Sequence, residues 1–357
     1  MSIVLAIIFA ILLFSFLIFI HELGHFVAAK MSGVQVNEFA IFMGPALVKW
    51  KRGETQYSIR CIPIGGYCAM EGEDEDSENP RAFGNAKWWK RLIILVAGSF
   101  MNFVAGVLIV AIVLFCQPNY ATTQIANVEE WSTLASDGGL QVGDTILELD
   151  GKRIHIYEDF TLDTMILHDG NYDITVLRDG HKILLEDVKM ERQPVQDESG
   201  NTAMLYGISF MMAETTSESV PDRILPTALN YVRSVIVSIQ MIFSGQAGFN
   251  DWAGPVLIVQ MMSESAAAAP STSGAIVNML NFGGFIAINL AVMNMLPLPA
   301  LDGGRTLALL LTTGIETITR KKIDPKYEGY IHGAGMILLL AFMAVILFKD
   351  IFTIFKG

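Results

Sequence analysis

His21-Glu22-Leu23-Gly24-His25 is the segment best equipped for chemistry. On a helix, positions i and i+4 share a face, so both imidazoles can reach one metal ion. Glu22 sits beside that metal without competing for it, placed as a general base next to a metal-bound water. Within or at the end of an apolar helix, two His and a Glu are costly unless they are used. The plainer alternative is a helix-end histidine pair reaching headgroups. Zinc hydrolases of this kind need a third protein ligand and an open position for water. The far end of the chain offers one in Asn294-Met-Leu-Pro297-Leu-Pro299-Ala-Leu-Asp302-Gly303-Gly304. Pro297 and Pro299 remove two backbone donors and cannot continue a helix. Broken backbone at membrane depth is tolerated only where it lines a cavity or is buried in protein. Asp302 then stands on irregular backbone, with Gly303 and Gly304 allowing close approach. Its plainer role is to cap a helix-to-loop exit.

The rest of the chain must position these groups. Of 357 residues, 52% are apolar and 17% charged, and mean hydropathy is +0.45. A soluble domain averages about 25% charged residues, so a polytopic α-helical membrane protein is expected. Four spans are predicted: residues 3–20 continuing to about 29, 92–116, about 275–296, and 331–348. Residues 30–91 carry nine Lys/Arg and the loop 300–330 carries five, whereas 117–274 carries eight against 22 Asp/Glu. Short loops rich in Lys/Arg stay inside, which puts both termini and 117–274 outside and the His-Glu motif toward the cytoplasmic side. The net charge of −12 argues against a nucleic-acid partner. Cys61, Cys68 and Cys116 match no zinc ribbon or redox pair. His155, His168, His181 and His332 are scattered and read as solvated or structural, and Glu71–Glu78 as a solvated acidic loop.

The outer segment opens with period-2 patterning and Asp-Gly turns, a strand signal. Gly138-Gly-Leu-Gln-Val-Gly-Asp144 leads into Thr145–Leu149 and Asp150-Gly151, and a second hairpin turns at Asp179-Gly180. Residues 121–193 thereby resemble a single PDZ domain. Residues 222–262 read as amphipathic helices on the membrane surface; a fifth span there would flip everything downstream. Residues 57–70 alternate at Tyr57, Ile59 and Cys61, and Gly65-Gly66 supplies a turn.

The pairing of His21-Glu22-Leu-Gly-His25 with Asn294…Pro297-Leu-Pro299…Asp302-Gly303 resembles the site-2 protease family, in its regulator-of-sigma-E protease branch. The likeness covers 3–116 and 222–350 as membrane core and 121–193 as the inserted PDZ domain. With the residue reading above, the chain divides into a membrane core over 1–116, the PDZ domain at 121–193, interfacial helices at 222–262, and a second core part over 275–357. The likeness implies one Zn2+ per chain on His21, His25 and Asp302, with Glu22 as catalytic base. It implies cleavage of peptide bonds inside a bacterial cytoplasmic membrane. The expected partners are the lipid bilayer and pre-trimmed single-span proteins, such as an anti-sigma factor or remnant signal peptides. Well-known members of that branch carry two PDZ domains. Gly98-Ser-Phe-Met-Asn102 resembles the family's Gly-x-x-x-Asn motif; Asn102 then contacts the active site or substrate, or else forms a helix–helix bond. Asn289 and Asn294 are open to two roles: donating to a developing oxyanion, or satisfying carbonyls freed by the prolines. The likeness also makes residues 34–70 a re-entrant β-hairpin, with Gly65 and Gly66 near the site. Its edge could take substrate as an added strand; a plain cytoplasmic hairpin is the alternative. Two other classes remain: a non-proteolytic membrane anchor displaying the PDZ domain, and a cytosol-facing quality-control zincin.

Overall fold

The computed structural model describes residues 3–73, 75, 77–135, 139–196, 202–248, 254–320 and 326–356. Gly138, Asp74, Asp76, Lys321 and Lys322, each used in the reading above, lie outside the described residues. The elements begin with α1 (Ile3–Ser32), β1 (Val36–Arg52), β2 (Thr55–Met70) and α2 (Trp88–Cys116). Then come β3 (Asn119–Val128), β4 (Thr145–Leu149), β5 (Lys152–Arg153), α3 (Tyr157–Ile166), β6 (Gly170–Arg178) and β7 (His181–Met190). β8 (Gln193–Gln196), β9 (Thr202–Leu205) and β10 (Ile208–Glu214) precede α4 (Ser219–Phe243). The last helices are α5 (Pro255–Ala268), α6 (Thr272–Asn294), α7 (Asp302–Thr319) and α8 (Lys326–Lys356). Two compact units result: Met1–Val110 with Gly245–Gly357, and Ala111–Ser244.

Four helical stretches are long and apolar enough to cross a membrane: Leu5–Ser32, Trp88–Cys116, Thr272–Asn294 and Gly329–Thr353. Each overlaps one predicted span, with ends that differ by a few residues. With no hydrophobic drive between helices in lipid, small residues decide how closely they approach. Within the first unit, Gly24 of α1 lies against the Ala97 carbonyl of α2, Gly106 of α2 against Ile288, and Gly283 of α6 against Leu13. A buried carboxylate adds a polar tie. Asp350 of α8 accepts from the amides of Gly254, Val256 and Leu257 at 3.1–3.2 Å, satisfying the start of α5.

β1 and β2 form an antiparallel pair reversing at Gly53-Glu54. Both strands bend, at Gly44 (φ 84°) and Gly65 (φ 81°). Residues 38–41 consequently pair on both sides, with 56–59 and with 66–69, while 46–52 pair with 55–60. Gly65-Gly66 therefore lies inside β2, and the expected turn there is a bend. A positive φ within a strand leaves the same glycine signature as a reversal.

In the second unit the sheet order is β10-β3-β4-β6-β7, with β5 on β4 and α3 packed by Phe160 onto a core of Ile125, Ile146, Leu149, Ile174 and Val176. The sheet continues past residue 193, because β10 closes on β3. That pairing joins segments far apart in sequence, which local alternation does not register. Residues 222–262 form α4 and α5. α4 exposes Leu225, Leu229, Ile236 and Phe243. Its Arg233 grips Asp159 and Asp163 of α3 at 3.0 and 2.7 Å.

Candidate metal centre

α1 brings His21 and His25 onto one face, one turn apart, with ring centroids 4.7 Å from each other. The rings fit only because α2 carries no side chain at position 98. A Cβ at Gly98 would overlap His25 Nε2 and press on His21 Cε1. α7 brings the third group: Asp302 is the first residue of that helix, after an extended Leu301. The capping role expected for Asp302 does not hold, because Leu301 is the N-cap and no side chain caps the helix; a carboxylate in the first turn still suits the helix electrostatically. The approach is again close. Cβ atoms at Gly303 and Gly304 would overlap the carbonyls of Met295, Leu296 and Leu298.

Three atoms converge. His21 Nε2 and His25 Nε2 are 3.2 Å apart, and each is 3.2 Å from Asp302 Oδ2. Tautomers follow from what lies behind each ring. His25 Nδ1 is 2.8 Å from the Ile94 carbonyl, so Nδ1 carries the hydrogen and Nε2 presents a lone pair. His21 Nδ1 lies 3.4 Å from the Asn102 amide. Asn102 is 1% exposed, and its Oδ1 is otherwise without a partner. Turning the amide oxygen to the ring lets it accept from His21 Nδ1–H and satisfies both groups. His21 Nε2 then also presents a lone pair, and Asp302 Oδ2, buried and without a hydrogen-bond donor, faces both. Three acceptors so close repel one another unless a cation lies between them. Two neutral imidazoles and a carboxylate are a catalytic zinc donor set, and ligands about 2.0–2.1 Å from a tetrahedral ion sit roughly 3.3 Å apart. The cluster fits such an ion. Among the described residues it is the one His/Cys/Asp/Glu group so arranged.

β2 passes along this cluster. The Cys68 backbone hydrogen-bonds Glu22, and a Cβ on Gly66 would stand 3.5 Å from Glu22 Cγ. Glu22 is thus flanked by strand backbone, with no bulky side chain at Gly66. Past Asp302, Arg305 pairs with Glu73 just beyond β2. Asn289 and Asn294 are half-buried on the last turns of α6 and hydrogen-bond nothing among the described residues. They do not satisfy carbonyls freed by Pro297 and Pro299. Sequence reasoning missed the Ile94 carbonyl, the Cys68 amide and the Arg305–Glu73 pair. Backbone groups leave no residue signature, and the ion pair joins positions on different motifs.

The profile of peptidase family M50 matches residues 9–342. A protein of Clostridium perfringens carrying a provisional zinc metalloprotease name is 37% identical over 352 residues, covering 97% of this chain and 98% of its own. A similarly named protein of Synechocystis is 32% identical over 364 residues, covering 97% and 94%. The regulator of sigma-W protease RasP of Bacillus subtilis is 25% identical over 426 residues, covering 97% and 98%.

Proposed function

Because the chain belongs to peptidase family M50, the site-2 proteases, and is a membrane metalloprotease, we propose that it cleaves peptide bonds inside the bilayer. One Zn2+ would be held by His21, His25 and Asp302. The observation that carries this reading is the convergence of those three groups beside Glu22 on a helix apolar enough to span. Zinc bound there supplies Lewis acidity, to a water and to the scissile carbonyl. The chain's own residues do the rest. Glu22 takes a proton from the attacking water and later delivers it to the leaving amine. Asn102 orients the His21 ring and the Ile94 carbonyl orients His25, each from behind. Asn289 and Asn294 keep amide donors uncommitted, as an oxyanion partner requires.

The paired strands around Glu22 support reading residues 34–70 as a re-entrant hairpin. A helical substrate has its carbonyls locked in internal hydrogen bonds. Added as a strand at the hairpin edge, it would expose one bond to the base and the metal. The β3–β10 module is read as the PDZ domain, and α4 and α5 as interfacial helices. By the charge asymmetry, the module lies outside the cytoplasmic membrane and the metal site toward the inside. Substrates on this reading are single-span proteins already trimmed outside, anti-sigma factors or remnant signal peptides. The likeness to a protease named for sigma-W regulation supports the first.

Glu22→Gln tests the assignment, because it keeps shape and hydrogen bonding but accepts no proton. Zinc should stay near one per chain, while cleavage of a single-span reporter falls by ~10²–10⁴-fold. Undiminished cleavage by the purified variant would sink it.

A further inference from the structure

The loop joining α6 to α7 carries Asp302 on backbone with two hydrogen bonds of its own, from the Leu298 amide to the Leu296 carbonyl at 2.7 Å and from the Leu301 amide to the Leu298 carbonyl at 3.2 Å, and neither engages the Ala300 amide. Pro297 and Pro299 bring no amide hydrogens. Ala300 stands at φ 75°, in the left-handed region that a residue with a Cβ avoids, and Asp302 follows two residues later. A side chain on α8 fixes Ala300 there: its amide N–H donates to His332 Nδ1 at 3.1 Å. Three residues on, sharing that helix face, Gly335 meets Pro299 so closely that a Cβ would overlap the proline's own. Packing does not clamp the loop on all sides. A cavity of about 540 Å³ adjoins it, bordered by Ala300, Arg305, Tyr330, His332 and Met336. Without the imidazole acceptor, Ala300 is free to relax toward an ordinary φ, and a backbone rotation two residues before Asp302 swings its carboxylate.

We infer that His332 is a positioning residue for Asp302. By holding the Ala300 amide it sets where Asp302 Oδ2 stands relative to the two imidazoles. This rests on Asp302 being a metal ligand, as proposed above. The role calls for a hydrogen-bond acceptor at the place of Nδ1, which an asparagine Oδ1 can supply and a leucine of similar size cannot.

Zinc affinity of the detergent-solubilised full chain, measured by competition with a chromogenic chelator, decides the matter for H332A, H332N, H332L and D302A. Melting of the metal-free proteins is followed in parallel. H332A and H332L should bind zinc roughly 10–100-fold more weakly, the usual scale for a lost outer partner. H332N should bind close to wild type, although H332N and H332L melt alike without metal. If H332A does not fold, the size-matched Asn and Leu variants carry the comparison. Equal zinc affinity in those two, whether strong or weak, overturns the inference. Unchanged affinity in D302A would remove the ligand reading itself, and this inference with it. Loss in D302A with no loss in H332L would overturn the positioning role alone.

Discussion

At residue 98 a methyl group would fall on the imidazole atoms proposed to face the metal. Its nearest neighbours would be His25 Nε2, His25 Cε1 and His21 Cε1. Overpacking of this kind ordinarily costs about 1–3 kcal/mol, and here the relief available is to move the imidazoles. A misplacement near 1 Å can cost about 10²-fold in rate. Gly98→Ala is therefore expected to lose zinc on purification and to lose activity by roughly that factor. Gly314→Ala, on an exposed stretch of α7 with nothing within 4 Å, is the control and should keep both. Zinc per chain in the two variants checks this, and full loading of Gly98→Ala would show that the rings have another place to go. The His pair and Glu22 were legible in the sequence because i, i+4 spacing fixes a helix face regardless of context. Asn102 was legible, through the Gly-x-x-x-Asn likeness, as either an active-site contact or a helix–helix bond, but its partner was not. Which ring it serves depends on how α1 crosses α2, and the close approach of Gly24 to Ala97 sets that crossing.

The hairpin is tied to its surroundings by charge. Glu54, at the reversal, receives Lys30 from the end of α1 at 2.6 Å and a two-pronged contact from Arg81 at 2.6 and 2.9 Å. Hydrogen bonds from Arg81 and then Lys30 pull its carboxyl from an ordinary 4.5 down to about 2. The sign follows from linkage. Unfolded, Glu54 takes up a proton near 4.5; folded, it resists until about 2, so its contribution is complete above 4.5 and fades as pH falls from there toward 2. The melting temperature of wild type should exceed that of Glu54→Gln at about pH 7, by a gap that shrinks toward about pH 3. The gap should be modest, since partly exposed pairs are worth little. A constant difference across that range would mean that the link is not ionic. Elements were unevenly legible for a related reason. The spans and the Asp-Gly hairpins follow from short-range pattern, and those signals are local. The double-sided pairing of 38–41, the bend at Gly65 and the closure of β10 on β3 are choices among distant partners, which periodicity does not rank.

The β3–β10 module is built to be removed as one piece. Asn119, its first residue, pairs with Glu214, its last, and just outside them the Thr215 amide donates to the Pro118 carbonyl at 2.9 Å. Excising 119–214 therefore leaves ends that a short Gly/Ser bridge can join, whereas a cut at 193 would strand β10 without its partner. The proposed function leaves two roles for the module. As a filter it stops substrates that still carry a bulky outer domain, and trimmed stubs pass. As a receptor it captures a newly exposed carboxyl terminus by strand addition. Charge favours the filter: residues 117–274 hold 22 Asp/Glu against eight Lys/Arg, a field that repels a free carboxylate. Deletion separates the two by sign. Under the filter, the excised protein should cut an untrimmed substrate that the full chain rejects, and should cut the trimmed one at an unchanged rate. Under the receptor, cutting of the trimmed substrate should slow and the untrimmed one should stay intact. Quantitative cleavage of both substrates by zinc-loaded, folded deletion protein provides the reading. Continued rejection of the untrimmed substrate would remove the filter, because the obstacle would then lie in the membrane core itself.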